Sequence, residues 1–264
     1  MGGKLKVGLA LGSGAAKGLA HIGILKVLVR ENIPIDLITG SSIGSLIGAL
    51  FAAGADLGML EKISCSLQQK QLVDVTVPRF GLIKGDKVEA LVKLLTKNMT
   101  FQDLKIPLYV VAVDLEEGKQ VVFEKGPVSE AVRASISIPG IFQPKKIGGK
   151  ILVDGAVLNR VPAKIAREKG AQVVIGVDLK EDPKMRKAKP IENIFDVILT
   201  SIDLLEGNSS INYNALCDVM IRPKVSDIGI ADFHKAEECI ALGEEAAEMA
   251  LPEIKKVLEQ GKCI

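Results

Sequence analysis

Tryptophan is absent, and aromatic residues make up only 3% of the 264 residues. The core must therefore rest on Leu, Ile, Val and Ala, and a hydrophobic content of 48% supplies enough of them. Histidine is almost absent too. Only His21 and His234 occur, so imidazole chemistry has two places to reside. The four cysteines, Cys65, Cys217, Cys239 and Cys263, form no C-x-x-C pair. That removes zinc and dithiol motifs and fits reduced thiols in a cytoplasmic protein. Charge of one sign is lacking as well. The formal net charge is +2, and no basic stripe is interleaved with aromatics, so nucleic acid is excluded as a partner. The densest basic run, residues 184–189, reads as a solvated loop, with weak attraction to anionic lipid head groups as the sharper alternative. No clustered carboxylate loop is present, so neither metal nor cofactor is expected.

No targeting segment is expected from these residues. Lys4 and Lys6 flank the start of an apolar run at 7–11 that is too short for a signal peptide and breaks at Gly12-Ser13-Gly14. Met1-Gly2-Gly3 hints at myristoylation, but position 6 is Lys rather than Ser or Thr. The uncharged stretch 37–55 is long enough to cross a bilayer. It carries Thr39, Ser41, Ser42, Ser45 and four glycines, so a buried strand followed by a buried helix explains it better.

What is present is alternation. Strand patterns at 5–11, 35–39, 108–113, 120–123, 150–153 and 173–177 alternate with helix patterns at 19–30, 45–53, 88–95 and 163–169. Residues 108–123 read as a hairpin across Glu116-Glu117-Gly118, and a last helix runs over 234–259 with a kink at Pro252. This order predicts an α/β fold with a mostly parallel sheet covered on both faces, and a single domain over 1–264. The least patterned stretches, 57–80 and 180–190, read as loops near a site.

Gly40-Ser41-Ser42-Ile43-Gly44 lies between an apolar strand and an apolar helix. A turn this sharp needs glycine at both ends, and its central serine projects at a helix N-terminus, where developing negative charge is favoured. As a bare pentapeptide it could equally be a glycine-lined helix start capped by Ser42. The loop Gly12-Ser13-Gly14-Ala15-Ala16-Lys17-Gly18 follows the first strand. It could bind a dinucleotide pyrophosphate, supply oxyanion-hole N–H groups beside Ser42, or simply turn the chain. Its third glycine falls one place too late for the dinucleotide pattern, and adjacent strand ends favour the oxyanion role.

A general base must accompany Ser42. The order Ser42, Asp154, His234 matches a Ser–Asp–His triad. Alternatively, Asp154-Gly155-Ala156 leaves a strand end through a glycine turn, and Asp154 could take the serine proton directly. A carboxyl of ordinary pKa, about 3.9, would already be ionised at neutral pH. Asp36, Asp114 and Asp178 also lie near strand ends and stay open at this level.

Taken in order, the glycine loop, the Ser42 turn and the Asp154 turn resemble the patatin-like phospholipase family, particularly its small bacterial members. Gly81-Leu82-Ile83-Lys84-Gly85, Ala112-Val113-Asp114-Leu115, Arg133-Ala134-Ser135-Ile136-Ser137-Ile138-Pro139-Gly140 and Asn159-Arg160-Val161-Pro162 are similar too. The resemblance covers about 5–179, leaving a helical part at about 190–264. It implies a three-layer α/β/α fold and a lipid acyl hydrolase of phospholipase A, lysophospholipase or carboxylesterase type. It also implies a Ser42–Asp154 dyad without histidine, with Lys17 at the family's Arg/Lys position. Lipid or acyl ester would be the substrate, with transient membrane-surface contact. The oligomeric state is not legible. Ser13 and Ala15 stand where many members have glycine, which motivates a rival reading as a catalytically weak lipid-binding module.

Overall fold

The computed structural model describes residues 5–66, 74, 81–180, 191, 194–207 and 211–261. The first strand, β1 (Val7–Leu11), is buried throughout. Its side chains alternate, with Val7, Leu9 and Leu11 in the larger core and Ala10 in a smaller core on the other face. A 3-10 turn, Ala15–Leu19, leads into α1 (Ala20–Arg30), followed by β2 (Leu37–Ser41), α2 (Ile43–Ala52) and α3 (Leu57–Ser66). Then come β3 (Gly81–Ile83), α4 (Asp86–Leu95), β4 (Leu108–Asp114), β5 (Lys119–Phe123) and α5 (Val128–Ser135). The short strands β6 (Gly140–Phe142) and β7 (Lys145–Ile147) precede β8 (Lys150–Asp154). The chain continues through α6 (Ala163–Glu168), β9 (Val173–Val177), α7 (Ile194–Gly207), α8 (Tyr213–Leu216), β10 (Val219–Ile221) and α9 (Ala236–Gly261).

Among the described residues, eight strands form one mixed sheet in the order β10-β9-β1-β2-β4-β8-β7, with β5 also on β4. The run from β10 to β4 is parallel, and β5, β8 and β7 are antiparallel additions. Helices α1, α2, α5 and α9 cover one face with the Leu- and Ile-rich core. On the other face α6 packs through Ala163 and Ala166 onto Ala10, Leu37 and Val174. Tyr109 and Tyr213 pack against the rim of that second, smaller cluster.

The register around β4 fixes where the site lies. β2 pairs with β4 from Ile38–Leu108 to Ser41–Val111, running parallel to it. β8 pairs antiparallel with the next residues, from Leu152–Asp114 to Asp154–Ala112. Because β5 occupies the opposite edge of β4 over both stretches, β2 and β8 share one edge and meet end to end. Ser41 and Asp154 are therefore neighbours along that edge, and each chain must turn away at once. Gly155 permits this. A Cβ there would lie 2.4 Å from the Val111 carbonyl oxygen and 2.9 Å from Ser41 Oγ.

Several expectations need correction. The second strand lies at 37–41 rather than 35–39, so it carries Ser41 to the sheet edge, and Ser41 is its last residue rather than part of the turn. Residues 57–66 are helical, while 67–73, 75–80 and 181–190 lie outside the described residues. The last helix begins at Ala236, leaving His234 in a separate 3-10 turn, and it runs as one element through Pro252. The segment after 190 is not wholly helical, because β10 adds the edge strand there. Gly155→Ala is expected to lower unfolding free energy by about 1–3 kcal/mol through overpacking. Urea denaturation would show this as a lower midpoint at unchanged slope. An unchanged midpoint would mean the two strand ends do not abut.

Candidate active site

Ser42 sits between β2 and α2 with φ 52° and ψ −126°, a conformation that non-glycine residues adopt only under constraint. Its neighbours impose it. A Cβ on Gly40 would fall 2.5 Å from Ser45 Cα, and one on Gly44 2.2 Å from the Leu11 carbonyl oxygen. The glycines predicted for this turn are thus required by close approach. Behind Ser42, its carbonyl accepts the Ser45 hydroxyl at 2.6 Å and the Ser45 amide at 2.9 Å. Ile43 opens the helix. Ser41 is buried, and its hydroxyl has no hydrogen-bond partner among the described residues.

The Ser42 hydroxyl donates to Asp154 Oδ2 at 2.6 Å. Asp154 Oδ1 accepts the Ala156 amide at 2.9 Å, so the turn through Gly155 and Ala156 aims the carboxyl. Both side chains are buried, Ser42 at 5% and Asp154 at 3% exposure. Burial pushes the Asp154 pKa up to about 7, although hydrogen bonds from Ser42 and Ala156 pull the other way. The expected ordinary carboxylate is corrected by this. Asp154 titrates near neutrality because the fold removes its water, so a kinetic limb near pH 7 cannot by itself be assigned to imidazole.

The other carboxylates considered have structural partners. Asp36 accepts the Val7 amide at 2.9 Å. Asp114 binds Lys150 at 2.7 Å and caps the hairpin amides of Glu116 and Glu117. Asp178 holds Arg160 and the Lys180 amide. His234 is exposed, in the turn Phe233–Lys235. His21 is fully buried, and burial lowers its pKa to about 4. It stays neutral, with Nε2 donating to the Gly12 carbonyl at 2.8 Å.

The glycine loop is pinned from several sides. The Gly12 amide donates to Val177 and the Ser13 amide to Arg160, both at 3.1 Å. The Ala16 amide donates to Ile230 and the Lys17 amide to Gly14, again at 3.1 Å. Those four N–H groups are engaged within the fold, so among residues 12–17 the candidates for an oxyanion reduce to Gly14 and Ala15. Ala15 holds φ 49°, a left-handed angle that glycine would adopt without steric cost. Gly18 presses the loop onto α2, since a Cβ there would meet Ile43 Cγ2 at 2.2 Å. Among the described residues, no group of three or more His, Cys, Asp or Glu side chains is placed to hold a metal ion.

The family model for patatin-like phospholipase matches residues 9–167, a span that includes both Ser42 and Asp154. The chain belongs to the patatin-like phospholipase family. An uncharacterized NTE family protein of Mycobacterium tuberculosis is 36% identical over 190 residues, covering 70% of this chain and 52% of that protein. Patatin-like phospholipase domain-containing protein 7 of Rattus norvegicus is 32% identical over 181 residues, 66% of this chain and 13% of that protein. The chain spans about half the length of the mycobacterial relatives it matches. The fold is similar to that of VipD from Legionella pneumophila, with a TM-score of 0.67 at 13% identity over 95% of this chain and 67% of that one. The type III effector ExoU gives 0.54 at 13% identity over 98% of this chain and 54% of that one.

Sequence reasoning placed no role on Arg133, Ser135 or Ser137, which surround the pair. The Ser42 amide donates to Ser135 Oγ at 2.9 Å, and the Asp154 amide to the Ser137 carbonyl at 3.0 Å. The likeness of Arg133 to Gly140 to the family marked the stretch, but it does not reveal a contact 93 residues away in sequence.

The raised pKa makes a folding prediction. An unfolded Asp ionises near pH 4, so the favourable protonated form is fully present below that pH and lost as pH rises through about 7. Asp154→Asn cannot ionise. It should gain on wild type from pH 5 to 8, by on the order of a few kcal/mol at the upper end. His21 acts with the opposite sign, its contribution being present above about pH 6.5 and lost as pH falls toward about 4. Urea denaturation of both proteins at pH 5, 6.5 and 8 checks this. A gap between Asp154→Asn and wild type that stays constant with pH would contradict a buried, titrating carboxyl.

Proposed function

We propose that this chain is a serine acyl-ester hydrolase acting on lipids through a Ser42–Asp154 dyad. The carrying observation is the 2.6 Å contact from Ser42 Oγ to Asp154 Oδ2, made from a constrained turn in a buried site. In this reading, ionised Asp154 takes the Ser42 proton as Oγ attacks the ester carbonyl carbon. The oxyanion is received by amides of Gly14, Ala15 and Ile43, and each such donor is typically worth about 2.7–4 kcal/mol. The tetrahedral adduct collapses, and the bond to the alcohol oxygen breaks. The alcohol leaves with the proton from Asp154, and the acyl group stays on Ser42. Asp154 then takes a proton from water as that water attacks the acyl-enzyme, and returns it to Ser42 as the fatty acid departs. A base with pKa near 7 suits both directions of transfer at neutral pH.

The substrate class in this reading is a phospholipid, lysophospholipid or simpler carboxylic ester. The described unit acts as one hydrolase domain. Contact with a lipid surface is supported by α7, whose outward face exposes Ile194, Val197, Leu204 and Leu205. That helix adjoins the turn after α5, for Ile198 Cδ1 lies 2.9 Å from the position a Cβ on Gly140 would take. Among the described residues, no helix is long and apolar enough to cross a membrane, so the contact would be peripheral. The described cysteines Cys65, Cys217 and Cys239 are unbridged, which suits a reducing, cytoplasmic setting.

Hydrolysis of a panel of phospholipids, lysophospholipids and short acyl esters tests the assignment. Ser42→Ala and Asp154→Asn should each lose on the order of a thousandfold or more in kcat, while His234→Ala should stay near the wild-type rate. A loss in His234→Ala as large as in Ser42→Ala would move the reaction to a triad. Flotation with phosphatidylcholine vesicles tests the surface, since Leu204→Asp with Leu205→Asp should release the protein and spare a soluble short ester. Unchanged flotation would retire α7 as the contact.

A further inference from the structure

The backbone angle of Ser42 has to be held against its strain, and the groups that hold its carbonyl lie within its own helix. Its amide is different. That N–H leaves the turn and donates to Ser135 Oγ at 2.9 Å, on the last residue of α5. Ser135 is wholly buried, so water cannot substitute as acceptor. Two residues on, the Ser137 carbonyl accepts the Asp154 amide at 3.0 Å. A three-residue segment thus binds the backbone of both members of the pair, one through a side chain and one through a carbonyl.

That segment is itself locked. The buried Arg133 guanidinium donates to Ser137 Oγ at 2.6 Å, to the Gln143 carbonyl at 2.9 Å and to the Lys84 carbonyl. Ser137 Oγ donates in turn to the Arg133 carbonyl at 2.8 Å. With its own partners fixed, the end of α5 offers Ser42 and Asp154 a common anchor.

We propose that Ser135 is a positioning residue for the nucleophile: its hydroxyl holds the Ser42 amide, and with it the strained angle from which Oγ reaches Asp154. The inference rests on the dyad reading. Removing the hydroxyl leaves a buried N–H without an acceptor and frees the turn to relax. A displacement on the order of 1 Å is enough to cost about a hundredfold in rate.

The test uses the full chain with a fluorophosphonate probe and a short acyl ester. Ser135→Ala is expected to slow labelling of Ser42 and to lower kcat by about ten- to a hundredfold. KM should stay in place, because Ser135 touches no substrate in this account, and the pH midpoint should rise rather than fall, because a loosened Ser42 hydrogen bond no longer lowers the Asp154 pKa. Ser135→Thr keeps the hydroxyl and should recover most of the rate. Wild-type labelling and kcat in folded Ser135→Ala would overturn the inference while leaving the dyad standing. Absence of Ser42 labelling in wild type would overturn both. If Ser135→Ala fails to fold, amide hydrogen exchange on wild type decides. A protected Ser42 N–H supports the inference, and one exchanging as fast as an exposed loop amide overturns it.

Discussion

Two strands running toward each other along one edge of β4 are the constraint on which the rest depends. β2 brings Ser41 to Val111, and β8 brings Asp154 to Ala112. Neither chain can continue, so each turns, and the turn after Ser41 brings Ser42 to Asp154. Their 2.6 Å contact joins residues 112 apart in sequence. The glycines follow from the same crowding. Gly155 lets β8 turn beside Val111, Gly44 lets α2 start against Leu11, and Gly18 seats the loop after β1 on Ile43. The site is thus built on sheet ends and helix starts, which hold geometry better than free loops do.

Burial has two consequences there. It strengthens the hydrogen bond between Ser42 and Asp154 by removing competing water. It also makes the Asp154 charge costly, which raises its pKa to about 7. In the proposed reading the fold gives up stability at neutral pH to keep a base that changes state near it, a common trade at functional sites. In that reading nearby histidine does not share the work. His21 is neutral and occupied with the Gly12 carbonyl, where it steadies the loop beside the pair.

Much of this was legible in the residues. The alternation of apolar strands and helices gave the α/β class, and Gly-x-Ser-x-Gly between a strand and a helix marked Ser42. The Asp154-Gly155 turn was visible for the same reason, a polar residue and a glycine ending an apolar run. What the residues could not separate were Asp36, Asp114, Asp154 and Asp178. All four stand near strand ends; the family resemblance pointed to Asp154, and the pairing on β4 is what sets that one beside Ser42. The strands β3, β6, β7 and β10 were missed because three residues are too few for a period of two to register. The Asp154 pKa was misjudged because burial is a property of the packed layers above the turn. Ser135 stood in a family-like stretch, but its contact was not legible because an amide acceptor leaves no pattern of its own.

The central claim is that Asp154, titrating near pH 7, takes the Ser42 proton without a histidine. Single-turnover acylation of Ser42 by a chromogenic ester, followed from pH 5 to 9 in wild type and in His234→Ala, tests it most directly. The account predicts the same rising limb in both proteins, with its midpoint near 7. Loss of that limb in His234→Ala, or a midpoint near 4 in wild type, would contradict it.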